Sequence, residues 1–242
     1  YDEAWLDYVA WQSDEDAYNA TGQKCSAQSI LFVHDNWART LLPKLAELAG
    51  RRSLDNLSIG PVLTWSNERI KSHVDAALAV PGAGLLFGGK PLTGHEIPAC
   101  YGAWQPTAVR VPLGALRGEH FERVTTELFG PFQVIVVYRD GELDDVLAIL
   151  ERISQHLTAA VVSADPVFQD RVLGATVNGT TYCGMRARTT AAPQNHWFGP
   201  CGDPRAAGIG TPEAIISTWS GHREIIMDQG ALPQDWSIPE SM

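Results

Sequence analysis

The sequence predicts an α/β fold with a mostly parallel sheet and flanking helices. Apolar runs rich in β-branched residues occur at 29–34, 134–138 and 157–163, and they lack the polar alternation of a half-exposed strand, as is typical of strands covered on both faces. Segments of helical periodicity separate these runs. The chain has 242 residues, of which 45% are hydrophobic, so it can bury a sizeable core without disulfides or metals.

In the first half of the chain, helices and strands are predicted in alternation. The helix at 4–19 ends at Thr21 and Gly22. Its apolar face has Trp5, Tyr8, Val9 and Gln12, and the acids around that face are Asp2, Glu3, Asp14 and Asp16. The further elements are a strand at 29–34, a helix that Asp35 or Asn36 caps, a helix that Ser66 caps, and strands at 84–88 and 108–112.

The same alternation continues in the second half. The run at 134–138 is the clearest strand, and a helix from Leu143 and a strand at 157–163 follow it. Asp165-Pro166 and Thr211-Pro212 each combine a capping residue with proline at the first helical position. A last strand is predicted at Ile225 and Ile226, and an extended tail at 229–242.

Charge and composition exclude several classes of protein. With 18 basic and 28 acidic residues the net charge is −10, which disfavours nucleic acid as a partner. No apolar run approaches the roughly 20 residues that span a bilayer, so we expect no membrane span. The four cysteines form no CxxC pair, so we expect no metal site, and scattered thiols suit a reducing compartment.

Cys25 is the candidate nucleophile. It lies between the end of the first helix and a buried strand, where a turn can present the thiol to a cleft and backbone N–H groups can face the same point. The alternative is an inert buried cysteine, which this segment alone does not exclude.

Two further segments carry candidate binding residues. The segment Glu127-Leu-Phe129-Gly130-Pro131 places a carboxylate and an aromatic ring immediately before the clearest strand. The stretch 189–200 is a long loop with hydrogen-bonding and aromatic side chains but no hydrophobic period. Loops on an α/β scaffold often carry binding residues.

Together these motifs resemble the C-terminal half of the aldehyde dehydrogenase superfamily. The matching segments are GQKCSAQS at 22–29, TELFGPFQV at 126–134, LTAAVVS at 157–163 and an FGP-containing loop before Gly208-Ile-Gly210. The resemblance extends from about residue 8 to about residue 228. The sequences at 177–182, 188–200 and 203–215 are similar to those of the pyrroline-5-carboxylate dehydrogenase branch of plants and protists.

The resemblance implies a role for each candidate residue. Cys25 attacks the aldehyde carbon, and its backbone N–H receives the oxyanion. Glu127 hydrogen-bonds the nicotinamide ribose, and Phe129 packs beside the nicotinamide. The substrate carboxylate is held by Ser26, Thr190 and Ala191, and Phe198 packs on the aliphatic part of the substrate. Without the resemblance, Glu127 reads as a surface acid and both phenylalanines as core residues.

The resemblance also implies cofactor, partners and location. NAD⁺ is the expected cofactor, and glutamate semialdehyde is the expected substrate, oxidised in mitochondrial proline breakdown. In that family the nucleotide-binding domain precedes the nucleophile, so we expect residues 1–242 to be a catalytic domain whose partner is an N-terminal NAD-binding half, either a separate chain or another part of the same protein. Alone, it should be inactive. We also expect a homo-oligomer, and an exposed apolar face that promotes aggregation in isolation.

Two alternatives remain open at this point. The chain could be a non-catalytic structural or assembly subunit derived from this family, although such a module has no need of Cys25, Glu127 and Phe129. It could also belong to an enzyme for another carboxylated semialdehyde, because pocket contacts decide between such substrates.

Overall fold

A computed structural model describes residues 1–190, 196–199, 207–209, 212–221, 223–227, 230–231 and 234–237. The helices are α1 (Leu6–Tyr18), α2 (Asp35–Gly50), α3 (Asn67–Leu78), α4 (Phe121–Thr125), α5 (Leu143–Arg152), α6 (Pro166–Leu173) and α7 (Pro212–Trp219). The strands are β1 (Ile30–His34), β2 (Gly84–Phe87), β3 (Thr107–Arg110), β4 (Phe132–Tyr138), β5 (Thr158–Val161), β6 (Thr180–Cys183), β7 (His196–Phe198) and β8 (Ala207–Ile209).

A four-stranded sheet in the order β1-β4-β3-β2 forms the centre of the fold. Strands β1, β4 and β3 run parallel, and β2 joins the edge antiparallel to β3. Strand β4 is covered on both faces: Val134 and Val136 pack in a core with α3, α4 and α5, while Ile135 packs in a core with α1 and α2. The predicted α/β fold with a mostly parallel sheet is confirmed.

Two smaller sheets follow the central one. Strands β5 and β6 pair in parallel, with α6 as the crossover helix, and β7 pairs antiparallel with β8. The Thr180 side chain links these sheets, because its hydroxyl donates to the carbonyl oxygen of Trp197 and accepts from the Trp197 amide, both at 3.1 Å.

Most predicted helix starts are confirmed, and one is wrong. Ser66 caps α3, and Asp165 caps α6 with Pro166 in its first turn. The cap of α2 is His34 rather than Asp35 or Asn36, because the His34 side chain accepts from the Asn36 amide. Thr211 lies outside the described residues.

The last strand predicted at Ile225 and Ile226 is also wrong. Residues 223–227 have no regular secondary structure, and Ile225 and Ile226 are exposed. The β propensity of branched residues depends on packing against a neighbouring strand and on burial, and within the described ranges no strand pairs with this segment. Of the predicted tail, the structure describes 230–231 and 234–237.

The described part of the chain contains no candidate for a membrane span or for a metal-binding cluster. No helix there combines the length and apolar character that a membrane crossing requires. No three His, Cys, Asp or Glu side chains there form a group that could hold a metal ion.

Candidate active site

Cys25 lies in a tight turn between α1 and β1. The chain leaves α1 through left-handed backbone at Ala20 (φ 54°), Thr21 (φ 61°) and Gly22 (φ 68°). A second turn follows, in which the Ala27 amide donates to the Lys24 carbonyl at 3.0 Å. Cys25 occupies this turn and is exposed. The turn therefore presents a thiol to solvent, which removes the interpretation of Cys25 as a buried core residue.

Hydrogen bonds to a neighbouring loop hold the approach to this turn. The Thr21 hydroxyl accepts from the Gly60 amide at 2.7 Å. The Gln23 side chain accepts from the Leu63 amide at 2.8 Å and donates to the Pro61 carbonyl at 2.9 Å. Each loop thereby restrains the other.

A buried polar network lies behind the Cys25 turn. Gln28 donates to the side-chain oxygen of Gln133 on β4 at 2.7 Å, Gln133 donates to the Tyr18 hydroxyl at 2.9 Å, and that hydroxyl donates to the Thr107 carbonyl at 3.1 Å. Complete burial raises the pKa of Tyr18 far above its usual range, so its hydroxyl stays a donor. The network fixes the entry to β1 relative to α1, β3 and β4.

The second candidate segment, which contains Glu127 and Phe129, lies beside the Cys25 turn. It connects α4 to β4, so both segments precede neighbouring parallel strands and lie at the same edge of the sheet. Gly22 and Gly130 are the point of contact, since a Cβ atom on Gly22 would lie 2.1 Å from the Gly130 carbonyl oxygen. The structure thus brings together the two segments that the sequence singled out.

Glu127 borders a small cavity at this edge. Ser29, Ile30 and Thr126 are among the residues that line the cavity with it, whereas Cys25 is not. Although Glu127 is exposed, desolvation by the surrounding protein raises the pKa of its carboxyl. Phe129 is half-buried. A carboxylate at the mouth of such a cavity can accept hydrogen bonds from hydroxyl groups of a ligand.

The structure describes some of the candidate residues for binding the substrate carboxylate and not others. Ser26 is buried, with 8% of its surface exposed, and Thr190 lies in the loop after β6. Ala191 lies outside the described residues. The backbone of Phe198 pairs with Ala207 in the β7–β8 sheet, and its side chain lies outside the described part of the structure.

Asp16, which the sequence places among the acids around the first helix, is buried. Only 4% of it is exposed, and its carboxylate accepts from Arg188, Thr189 and Thr190. Asp14 is likewise buried and pairs with Arg52 at 2.6 Å. One signal was available, because Asp16 follows Gln12 by four residues and so shares its helical face.

Comparison with known proteins supplies close and distant relatives. The chain is 59% identical, over 98% of its length, to the mitochondrial delta-1-pyrroline-5-carboxylate dehydrogenase 12A1 of Arabidopsis thaliana, and it spans 43% of that protein. The chain therefore covers less than half the length of this relative.

Solved structures with the same fold are more distant in sequence. Gamma-glutamyl-gamma-aminobutyraldehyde dehydrogenase from Burkholderia cenocepacia matches with a TM-score of 0.66 at 22% identity, over 80% of this chain and 38% of that one. Glyceraldehyde-3-phosphate dehydrogenase from Methanocaldococcus jannaschii, complexed with NADP, matches with a TM-score of 0.64 at 18% identity, over 80% and 40%.

The family assignment rests on most of the chain. The model of the aldehyde dehydrogenase family matches residues 2–206, a range that includes the Cys25 turn, the Glu127–Phe129 segment and the loop after β6. The chain belongs to the aldehyde dehydrogenase family.

Proposed function

We propose that the chain is the catalytic half of an NAD⁺-dependent dehydrogenase that oxidises glutamate γ-semialdehyde, the open form of delta-1-pyrroline-5-carboxylate, to glutamate. The observation that carries this proposal is the exposed Cys25 turn packed against the Glu127–Gly130 segment. The proposed substrate is supported by the 59% identity between this chain and a plant protein whose name contains delta-1-pyrroline-5-carboxylate.

Cys25 supplies the nucleophile in this proposal. Its thiolate attacks the aldehyde carbon, the new C–S bond gives a hemithioacetal, and the Cys25 backbone N–H donates to the oxyanion. Loss of hydride from that carbon leaves a thioester. Water then breaks the C–S bond, which releases the carboxylate product and returns the thiol.

Glu127 and Phe129 are the proposed contacts to the cofactor. NAD⁺ bound there would supply the acceptor for the hydride that leaves the substrate carbon. The Glu127 carboxylate, at the mouth of its cavity, would accept hydrogen bonds from ribose hydroxyls, and the half-buried Phe129 ring would pack beside the nicotinamide. A solved relative complexed with NADP supports a nicotinamide cofactor. In this proposal an NAD-binding half outside these 242 residues completes the cofactor site.

Four residues are the proposed contacts to the substrate. Ser26, Thr190 and Ala191 hold its carboxylate, and Phe198 packs on its aliphatic chain.

We further propose that the protein is a homo-oligomer in mitochondria. The exposed Ile215, Ile216 and Trp219 of α7 support an interaction surface, and the name of the Arabidopsis relative supports the location.

The test is NADH formation from delta-1-pyrroline-5-carboxylate and NAD⁺. It uses the chain alone and the joined protein, which we define as this chain fused after the upstream residues of the Arabidopsis relative. We expect NADH from the joined protein only. The exposed cysteine Cys183 offers a matched control, so Cys25→Ala should abolish activity while Cys183→Ala should retain it.

Three results would contradict the proposal. A folded joined protein that binds NAD⁺ but forms no NADH would favour a structural subunit. Equal loss of activity in both cysteine variants would remove Cys25 as the nucleophile. A higher kcat/KM for succinic semialdehyde than for glutamate semialdehyde would assign a different substrate.

A further inference from the structure

We propose that Asp16 is a positioning residue, which fixes the segment 188–190 beside the Cys25 turn and thereby creates the preference for carboxylated aldehydes. This inference rests on the proposed function, because it assigns to Asp16 the orientation of the segment that carries Thr190. Asp16 itself contacts neither substrate nor cofactor in this proposal.

The donors of three consecutive residues converge on the Asp16 carboxylate. Oδ1 accepts from the Thr190 hydroxyl at 2.6 Å and from Nε of Arg188 at 3.0 Å. Oδ2 accepts from the Thr189 amide at 2.7 Å and from the Thr189 hydroxyl at 3.3 Å. A carboxylate has about four acceptor positions, and these four donors occupy them.

The backbone of Asp16 holds the other side of the site. Its carbonyl oxygen accepts from the Gln28 amide at 2.9 Å, three residues after Cys25. One residue of α1 is therefore bonded to the nucleophile segment through its main chain and to the segment 188–190 through its side chain. The distance between these segments depends on Asp16.

Burial and charge suit a positioning role. Asp16 is 4% exposed, and the Arg188 guanidinium forms an ion pair with it at 3.0 Å. This pairing offsets the cost of the buried carboxylate and leaves the pair without net charge, so a substrate carboxylate nearby is not repelled. Because the Thr190 hydroxyl and the Thr189 amide both donate to Asp16, we assign the contact with the substrate carboxylate to the backbone N–H of Thr190.

Asparagine at this position is a sharp perturbation. Its side chain has the same shape, but it offers one acceptor oxygen and replaces the other by a donor, which would face donors of the 188–190 segment. The earlier part of the loop keeps its own anchor, because Gln12 donates to the Met185 carbonyl at 3.1 Å. The change should therefore loosen 188–190 without releasing the whole loop.

The experiment measures aldehyde preference in the joined protein. The readout is the ratio of kcat/KM for glutamate semialdehyde to that for propanal, which has no carboxylate, together with both KM values for semialdehyde and NAD⁺. We expect Asp16→Asn to lower this ratio about tenfold or more, as for loss of charge-assisted hydrogen bonds. The KM for semialdehyde should rise, while the KM for NAD⁺ and the propanal rate should stay within about twofold.

Asp14→Asn is the matched control. Asp14 is a buried acid of the same helix and also pairs with an arginine, but its partner is Arg52 and not the 188–190 segment. It should lower stability and keep the wild-type ratio. An unchanged ratio in Asp16→Asn, or an equal fall in both variants, would overturn the proposal.

A second pair of variants decides the question if Asp16→Asn does not fold. Arg188→Lys keeps a cationic donor beside Asp16, and Arg188→Met removes it at similar length. We expect the lysine variant to retain a higher ratio than the methionine variant; equal ratios in the two would refute the role of Asp16. Wild-type joined protein that leaves glutamate semialdehyde unoxidised would instead count against the proposed function.

Discussion

The contact between Gly22 and Gly130 gives a sharp test of how the two loops of the site are held together. Replacing Gly22 by alanine adds one methyl group at a residue with φ +68°. The new Cβ atom would lie 2.1 Å from the Gly130 carbonyl oxygen and 3.0 Å from the Ala17 carbonyl oxygen. Both neighbours are backbone atoms, so no side-chain rotation relieves the overlap, and the loops must separate.

The magnitude has two parts. Left-handed backbone costs alanine about 1–2 kcal/mol, and an extra methyl group in a packed position costs about 1–3 kcal/mol more. We therefore expect Gly22→Ala to reduce the free energy of unfolding by roughly 2–5 kcal/mol. Displacement of Cys25 from Glu127 by about 1 Å should also lower kcat about 100-fold.

Gly94→Ala separates these two parts. Gly94 has a similar backbone conformation, with φ +73°, but a Cβ atom there meets nothing within 4 Å. The Gly94→Ala variant should therefore lose only the free energy that left-handed backbone costs alanine, and its activity should stay normal. The measurements are the thermal unfolding midpoint and kcat of the joined protein with each substitution. If the two variants behave alike in both, the close approach of the loops does not hold the site together.

Two further predictions concern charge. The Arg52 side chain pairs with the buried Asp14 at 2.6 Å and with the half-buried Glu15 at 2.7 Å. Arg52→Leu should therefore cost about 3–5 kcal/mol of unfolding free energy, mainly by leaving the buried Asp14 carboxylate unpaired. Lys71→Ala, which breaks the exposed pair with Asp75, should cost at most about 1 kcal/mol; similar losses in chemical unfolding would contradict this reasoning. His73 lies against Trp65 and Phe132, and burial lowers its pKa from the usual 6.5. The unfolded chain therefore binds a proton on His73 more tightly than the folded protein does. The contribution of His73 to stability should be fully present above pH 6.5 and should fall as the pH decreases below that value. In His73→Phe the difference between unfolding midpoints at pH 7.5 and pH 5.5 should shrink, and an unchanged difference would argue against this role.

Local patterns predicted most of the secondary structure. The lack of polar alternation predicts strand β4. Ser66 and Asp165 are residue types that favour the cap position, and in the structure their side chains accept from amides two or three residues away. Such signals act within one helical turn or one strand. The errors arose where a distant or competing partner decides, as at His34, which caps α2 although two good capping residues follow it.

The site was predicted unevenly for the same reason. The sequence singled out the Cys25 turn and the Glu127–Phe129 segment, which are 102 positions apart in the chain by their numbers (127 − 25). Their contact depends on the pairing of β1 with β4 and on two glycines that permit backbone contact. The hydrophobic periodicity of the sequence does not predict this contact between the two segments.

By itself the sequence determined the α/β class, the order of the main elements and the residue types available for thiol chemistry, because these follow from local hydrophobic pattern and side-chain identity. Only the tertiary structure decided that Cys25 is exposed, that its turn meets Gly130, and that Asp16 is a buried acceptor for 188–190. The physical reason is that burial and pairing of a charge depend on residues far away in the chain: Asp16 is stabilised by donors more than 170 positions later, and no local pattern contains them.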